Sequence, residues 1–173
     1  MTPSQTVGPF YHFGLTKNLA LGCLTTPDLQ GERIRVRFRL LDGDGKPVPD
    51  GMIELWQADA AGDYHHETFC GFGRLATDGQ GSCTFETIRP GRTADGRGGR
   101  QAAHINVSVF ARGLLNRLCT RVYFEGDPAL AEDPVLALVP QDRRHTLLAN
   151  NTEDCWKFDI RLQGEGETVF FDI

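Results

Sequence analysis

Residues 33–41 run Arg-Ile-Arg-Val-Arg-Phe-Arg-Leu-Leu, which sets Ile34, Val36, Phe38 and Leu40 between Arg33, Arg35, Arg37 and Arg39. In an extended chain successive side chains point to opposite faces, so this alternation makes one apolar face and one arginine face. A segment of this kind is a half-buried strand. Its arginine face has two readings. It is a solvated surface, the usual fate of such a row, or a surface for an acidic partner, which the planar guanidinium fork suits.

The rest of the chain repeats the theme. LDGDGKPV holds Asp-Gly twice and turns the chain into the next strand, GMIELWQA, after which DAAGDYHH reads as a loop. SCTFETI, HINVSVF, RLCTRVYF, CWKFDIRL and TVFFDI are five further apolar or alternating runs, separated by Gly, Pro and Asp clusters. Many short strands with turn-rich connections predict an all-β sandwich or barrel. A small helical excursion is expected between Asp133 and Ala149, with Pro134 in its first turn and Pro140 dividing it. RPGRTADGRGGR, residues 89–100, has the composition of a loop, and no GxxxxGK[ST] phosphate motif occurs. With no repeat and no long linker, residues 1–173 are expected to form one domain, an arm and connecting segment over 1–30 and a core over 31–173.

A formal net charge of −5 argues against a nucleic-acid or anionic-membrane surface. No apolar run approaches the ~20 residues that span a bilayer, and MTPSQTVGPFYHFG lacks the features of a secretory signal. Five widely spaced cysteines, Cys23, Cys70, Cys83, Cys119 and Cys155, contain no CxxC pair and suggest reduced thiols in a cytoplasm.

Chemistry must come from tyrosine and histidine. Ferric iron is a hard cation that favours anionic oxygen, and a phenolate supplies it once the metal lowers the phenol's pKa. Neutral imidazoles complete such a shell. The chain has Tyr11, Tyr64 and Tyr123, and His12, His65, His66, His104 and His145. His104 opens the HINVSVF strand, where a partner ligand at i+2 would share its face. That position is Asn106, whose neutral amide is a poor ferric ligand.

Four blocks, IELWQADAAGDY (53–64), GFGRLATDGQGSCTFETIRPG (71–91), AAHINVSVFARG (102–113) and RVYFEGD (121–127), together resemble the intradiol ring-cleavage dioxygenases. TPSQTVGPFYHFGL near the start and FDIRLQGEGETVFFDI at the end resemble the iron-free subunit of the family's two-subunit members. The resemblance implies a prealbumin-like β-sandwich with an extended N-terminal arm, and an activity that opens catechols between their hydroxyls with ferric iron and dioxygen. The family's iron is held by two tyrosinates and two histidines, which fall on Tyr64, Thr93, His104 and Asn106. Thr93 and Asn106 cannot serve, so no metal is expected in this chain. The substrate-polarising arginine before the histidine pair falls on Gln101 or Arg100. His65 and His66 adjoin Tyr64 and do not restore the set.

The resemblance also implies a partner: a homologous iron-bearing β subunit, with several αβ pairs forming a larger particle around the Fe(3+) site. The arm of the α subunit would wall the partner's pocket for an aromatic dihydroxy acid, which assigns Thr6, Gly8, Pro9 and Phe10 to substrate contact. Arg112 of the FARG turn would either offset the substrate carboxylate there or serve an inter-subunit salt bridge or a solvated loop. Two other readings remain open at this point: a stand-alone dioxygenase with altered iron ligands, and a non-enzymatic transthyretin-like binding module.

Overall fold

The computed structural model describes residues 6–8, 10–65 and 67–172, the side chain of His12 excepted. Its strands are β1 (Arg33–Leu41), β2 (Met52–Gln57), β3 (Phe72–Ala76), β4 (Ser82–Ile88), β5 (His104–Phe110), β6 (Leu118–Phe124), β7 (Leu148–Asn151) and β8 (Trp156–Arg161). They form one sheet in the order β3-β2-β5-β6-β7-β8-β1-β4. The all-β expectation holds.

The alternation in β1 sets the arrangement. Its residues are alternately exposed and buried, with Val36, Phe38 and Leu40 fully inside. β1 lies parallel to β8 and antiparallel to β4, so it is central in its half of the sheet. The short β7 joins that half to β3-β2-β5-β6. It pairs with β6 through Leu148 and Ala149, and with β8 through Asn150 and Asn151. Apolar residues from both halves meet in a single cluster that includes Phe38, Leu55, Phe85, Ile105, Val107 and Phe158. Phe38 stands edge-on to Phe85 and Phe158, with centroids 5.7 and 6.0 Å apart. Truncating such a ring to Ala costs about 3–5 kcal/mol.

Two expectations need correction, and a third is refined. The run TVFFDI is not a strand among the described residues; it makes one isolated bridge, Cys119 to Phe171. Side chains take its hydrogen bonds instead: Val169 N donates to Thr146 Oγ1, and Thr120 Oγ1 donates to Val169 O. The helical excursion between Asp133 and Ala149 is two 3-10 turns, Leu136–Leu138 and Gln141–Leu147, and a further 3-10 turn, Pro128–Glu132, precedes it. Asp133 draws the N–H groups of Val135 and Leu136 to its side chain, and Pro140 divides the excursion as expected, standing at the N-cap of its second piece. The arm is not wholly extended, since Phe10–Leu15 forms a short helix, α1. Residues 89–100 form a loop apart from a bridge between Ala94 and Arg100.

Candidate functional site

Two loops set the frame. Beyond β2, Asp59 Oδ1 accepts the backbone N–H groups of Ala61 and Asp63, both at 2.9 Å, and folds the GDY segment into a tight loop. Gly91 N donates to Asp59 O at 2.8 Å, which ties this loop to the Pro-Gly turn after β4. Gly62 has φ +90°, and a Cβ there would fall 2.0 Å from Arg92 O. Only glycine allows that backbone-to-backbone contact. Buried Gln57 locks the strand ends beneath: its amide donates to Ile88 O at 2.9 Å and accepts from Thr87 Oγ1 at 2.9 Å. Tyr64 and Thr93 therefore leave from adjoining loops.

The start of β5 supplies His104, 1% exposed, and Asn106 on the same strand face. His104 Nδ1 lies 2.8 Å from Ala102 O, an acceptor, so this nitrogen carries the proton and Nε2 is free to accept. Tyr64 Oη lies 3.3 Å from Nε2, and Asn106 Nδ2 donates to Tyr64 Oη at 3.0 Å. The chain of bonds ends on Asp133, whose Oδ2 accepts Ala102 N at 2.7 Å. Trp56 stacks on Tyr64 with a 6.0 Å centroid separation.

Electrostatics keep this network neutral. Burial pushes the His104 imidazole down to about 4, with the positive Arg121 adding to the effect. Burial raises the Tyr64 phenol above its ordinary value, against smaller opposing effects from the Asn106 hydrogen bond and Arg121. Tyr64 is thus a phenol at neutral pH and His104 an uncharged acceptor.

This donor set does not fit ferric iron. Thr93 is 3% exposed, and its hydroxyl has no hydrogen-bond partner among the described residues. Asn106 turns its amide N–H, a donor, toward the phenol oxygen. His65 is exposed and joins through its backbone alone, to Asp63; His66 lies outside the described residues. No cluster of three His, Cys, Asp or Glu side chains suited to a metal occurs among the described residues.

Over residues 7–164 the sequence matches the dioxygenase family. The chain belongs to the intradiol dioxygenases. It is 43% identical to the protocatechuate 3,4-dioxygenase alpha chain of Pseudomonas putida, covering 99% of this chain and 96% of that one. It is 36% identical to the beta chain of the same enzyme from Burkholderia cepacia, over 95% of this chain and 77% of that one. Among solved structures it is similar to the dioxygenase domain of a carbohydrate-binding fusion from Streptomyces sp. SirexAA-E. That match has TM-score 0.67 and 26% identity, and covers 94% of this chain and 99% of that one.

The other site expectations for this intradiol dioxygenase chain fall at the arm. Gly113 N donates to Thr6 Oγ1 at 2.8 Å, which brings Thr6 to the turn that carries Arg112. The Arg112 guanidinium pairs with Asp50 while its side chain stays 75% exposed. Tyr11 donates its hydroxyl to the backbone oxygen of Asp50, so Asp50 gathers arm and turn at one point. Phe10 is 81% exposed. A Cβ at Gly8 would meet nothing within 4 Å, so no contact among the described residues requires glycine there. Pro9 lies outside the described residues.

Arg121 was missed by sequence reasoning. It stands opposite Asn106 across β5 and β6, and donates to Gln101 Oε1 at 2.5 Å. Arg100 is turned away, bonded to Arg92 O at 2.6 Å and exposed. The cation next to the site thus comes from the following strand and not from the segment before His104. Pairing HINVSVF with RLCTRVYF as a hairpin would have found it. A cleft of ≈590 Å³ lies on the other half of the sheet, and one of ≈520 Å³ lies beside Trp56, Asn106 and Arg121.

Proposed function

We propose that this chain is the iron-free α subunit of a protocatechuate 3,4-dioxygenase. With a homologous β subunit that holds Fe(3+), it converts protocatechuate and O2 to 3-carboxy-cis,cis-muconate, both oxygen atoms entering the product. One observation carries the reading: Tyr64, His104 and Asn106 form a hydrogen-bonded neutral network in which Thr93 and Asn106 replace two ligands the family needs. Catalytic residues then lie in the partner, and this chain contributes pocket wall and interface. Thr6, Gly8, Pro9, Phe10 and Arg112 are the substrate-side residues. The Thr6–Gly113 bond and the exposure of Phe10 and Arg112 support that role.

The two half-sheets are the layers of a prealbumin-like sandwich over 31–173, with 1–30 as arm and connection. Several αβ pairs assemble, in the cytoplasm. No described helix is long and apolar enough to cross a membrane, and the described cysteines are free thiols.

The test is co-purification of the two subunits, their separation, and iron quantification on each. Iron and tyrosinate colour belong to the β fraction alone, and His104→Ala in this chain leaves the iron of the complex unchanged. Iron that stays with this chain, or falls in proportion in the His104→Ala complex, refutes the assignment and favours a stand-alone dioxygenase.

A further inference from the structure

The arginine row of β1 stands opposite a carboxylate at two positions and not at a third. Arg35 stands opposite Glu86 of β4, and Arg39 opposite Asp159 of β8. Arg39 grips both carboxylate oxygens of Asp159, Nε to Oδ1 at 3.1 Å and a second nitrogen to Oδ2. Arg37, between them, stands opposite Lys157. Like charges directly opposite on a sheet repel, since side chains on one face sit about 5 Å apart at Cβ. A chain with net charge −5 has acidic residues enough to avoid this. Neither Arg37 nor Lys157 has an ion-pair or hydrogen-bond partner among the described residues.

The pair is not on a flat face. Arg37, Arg39, Lys157 and Asp159 line the groove of ≈590 Å³, together with Asn150 of β7 and His145 of the Gln141–Leu147 turn. Arg37, Lys157, Asn150 and His145 all bring side-chain donors that no described residue engages. Asp159 is the single carboxylate in the lining, and Arg39 already holds it. Donors therefore converge on this groove without a carboxylate to spare for them.

We infer that the groove binds a small organic anion bearing two or more carboxylates. One carboxylate bridges Arg37 and Lys157, turning the like-charged pair into a charge-assisted clamp. A second reaches Asn150 and His145 across the groove. The guanidinium fork at Arg37 suits a planar carboxylate better than a point cation would. Cellular polycarboxylates and the tricarboxylate product of the proposed reaction share this chemistry. The groove lies apart from the arm and from Tyr64, and iron content of the separated subunits does not bear on it.

Titration calorimetry on the αβ complex at low ionic strength tests the inference, with tricarballylate, 3-carboxy-cis,cis-muconate and inorganic phosphate as probes. One tricarboxylate binds per copy of this chain, and the Arg37→Gln/Lys157→Gln variant binds it at least about tenfold more weakly. Removing a repelling pair does not unfold the sheet, which thermal unfolding of the variant checks. Asn150→Ala, outside the charged pair, weakens binding by a smaller factor. Equal affinity for the two tricarboxylates marks a general polycarboxylate site, and preference for the muconate marks a product site; both support the inference. Absence of binding, unchanged binding in the double variant, or phosphate binding as tightly as the tricarboxylates overturns it. Binding by the free chain that vanishes in the complex also overturns it, because the groove then holds an acidic protein segment.

Discussion

Asp133 is 1% exposed, and its carboxyl receives four donors. Oδ1 accepts the hydroxyl of Tyr123 at 3.1 Å and the N–H groups of Val135 at 3.0 Å and Leu136 at 2.7 Å; Oδ2 accepts Ala102 N at 2.7 Å. Asp133→Ala orphans all four in a buried site. Each orphaned donor costs about 1–3 kcal/mol, and the costs do not add fully because water enters the space left behind. The expected loss is about 3–5 kcal/mol, the range for breaking a buried charged or strongly polar contact. For a chain of this size each kcal/mol lowers Tm by about 2–4 °C, so the variant melts about 6–20 °C below the parent. Asp133→Asn keeps the shape and one acceptor oxygen, and loses less. Urea unfolding followed by circular dichroism, on each protein in the same assembly state, gives both numbers. An Asp133→Ala protein within about 1 kcal/mol of the parent refutes the claim that this residue braces the start of β5.

Stability also depends on pH through His104. Its folded value, about 4, lies below the ordinary 6.5, so the unfolded chain takes up a proton that the folded chain refuses. Stability from this group is complete above pH 6.5 and is lost as pH falls toward 4, by about 3 kcal/mol in all. His104→Gln flattens that part of the denaturation-midpoint curve relative to the parent, and an unchanged curve counts against burial as the cause. At the arm, Arg112→Gln raises KM for the aromatic acid about tenfold or more while the complex keeps its iron. Normal kinetics in a fully assembled variant would remove Arg112 from the pocket.

Strands β1, β4 and β5 were legible because apolar residues alternate with polar ones along much of their length, so the alternation is written directly in residue type. β3 was not recognised, since Gly71 and Gly73 leave gaps in the pattern, and β7 was missed because LANN carries little apolar signal. TVFFDI failed in the opposite sense: it has a strand's composition, but Thr120 and Thr146 take up hydrogen bonds that a neighbouring strand would have used. Tyr64 and His104 were found through the family pattern. The roles of Arg121 and Asp133 were not, because both depend on tertiary placement: one on the β5–β6 register, the other on a contact across 31 positions.

The same geometry changes what the loss at position 106 means. On the proposed reading, a second histidine there would be a metal ligand. Without a metal, a half-buried phenol and a buried imidazole would each need a new partner or incur a desolvation cost. Asn106 answers part of that need by donating to Tyr64 Oη, and Tyr64 in turn reaches His104 Nε2. His104 then holds Ala102 O, and Asp133 holds Ala102 N. The bonds run without a break from the β5 strand to the 3-10 turns. Sequence alone suggested an abandoned metal site; the bonding shows a polar brace that fixes the β5 end of the fold. Thr93 is the unresolved remainder of the substitution, a buried hydroxyl without a partner among the described residues. Such a group costs about 1–3 kcal/mol, so Thr93→Val, nearly equal in shape, should leave stability unchanged or raise it. A loss above about 1 kcal/mol in urea unfolding would mean that the hydroxyl is satisfied after all.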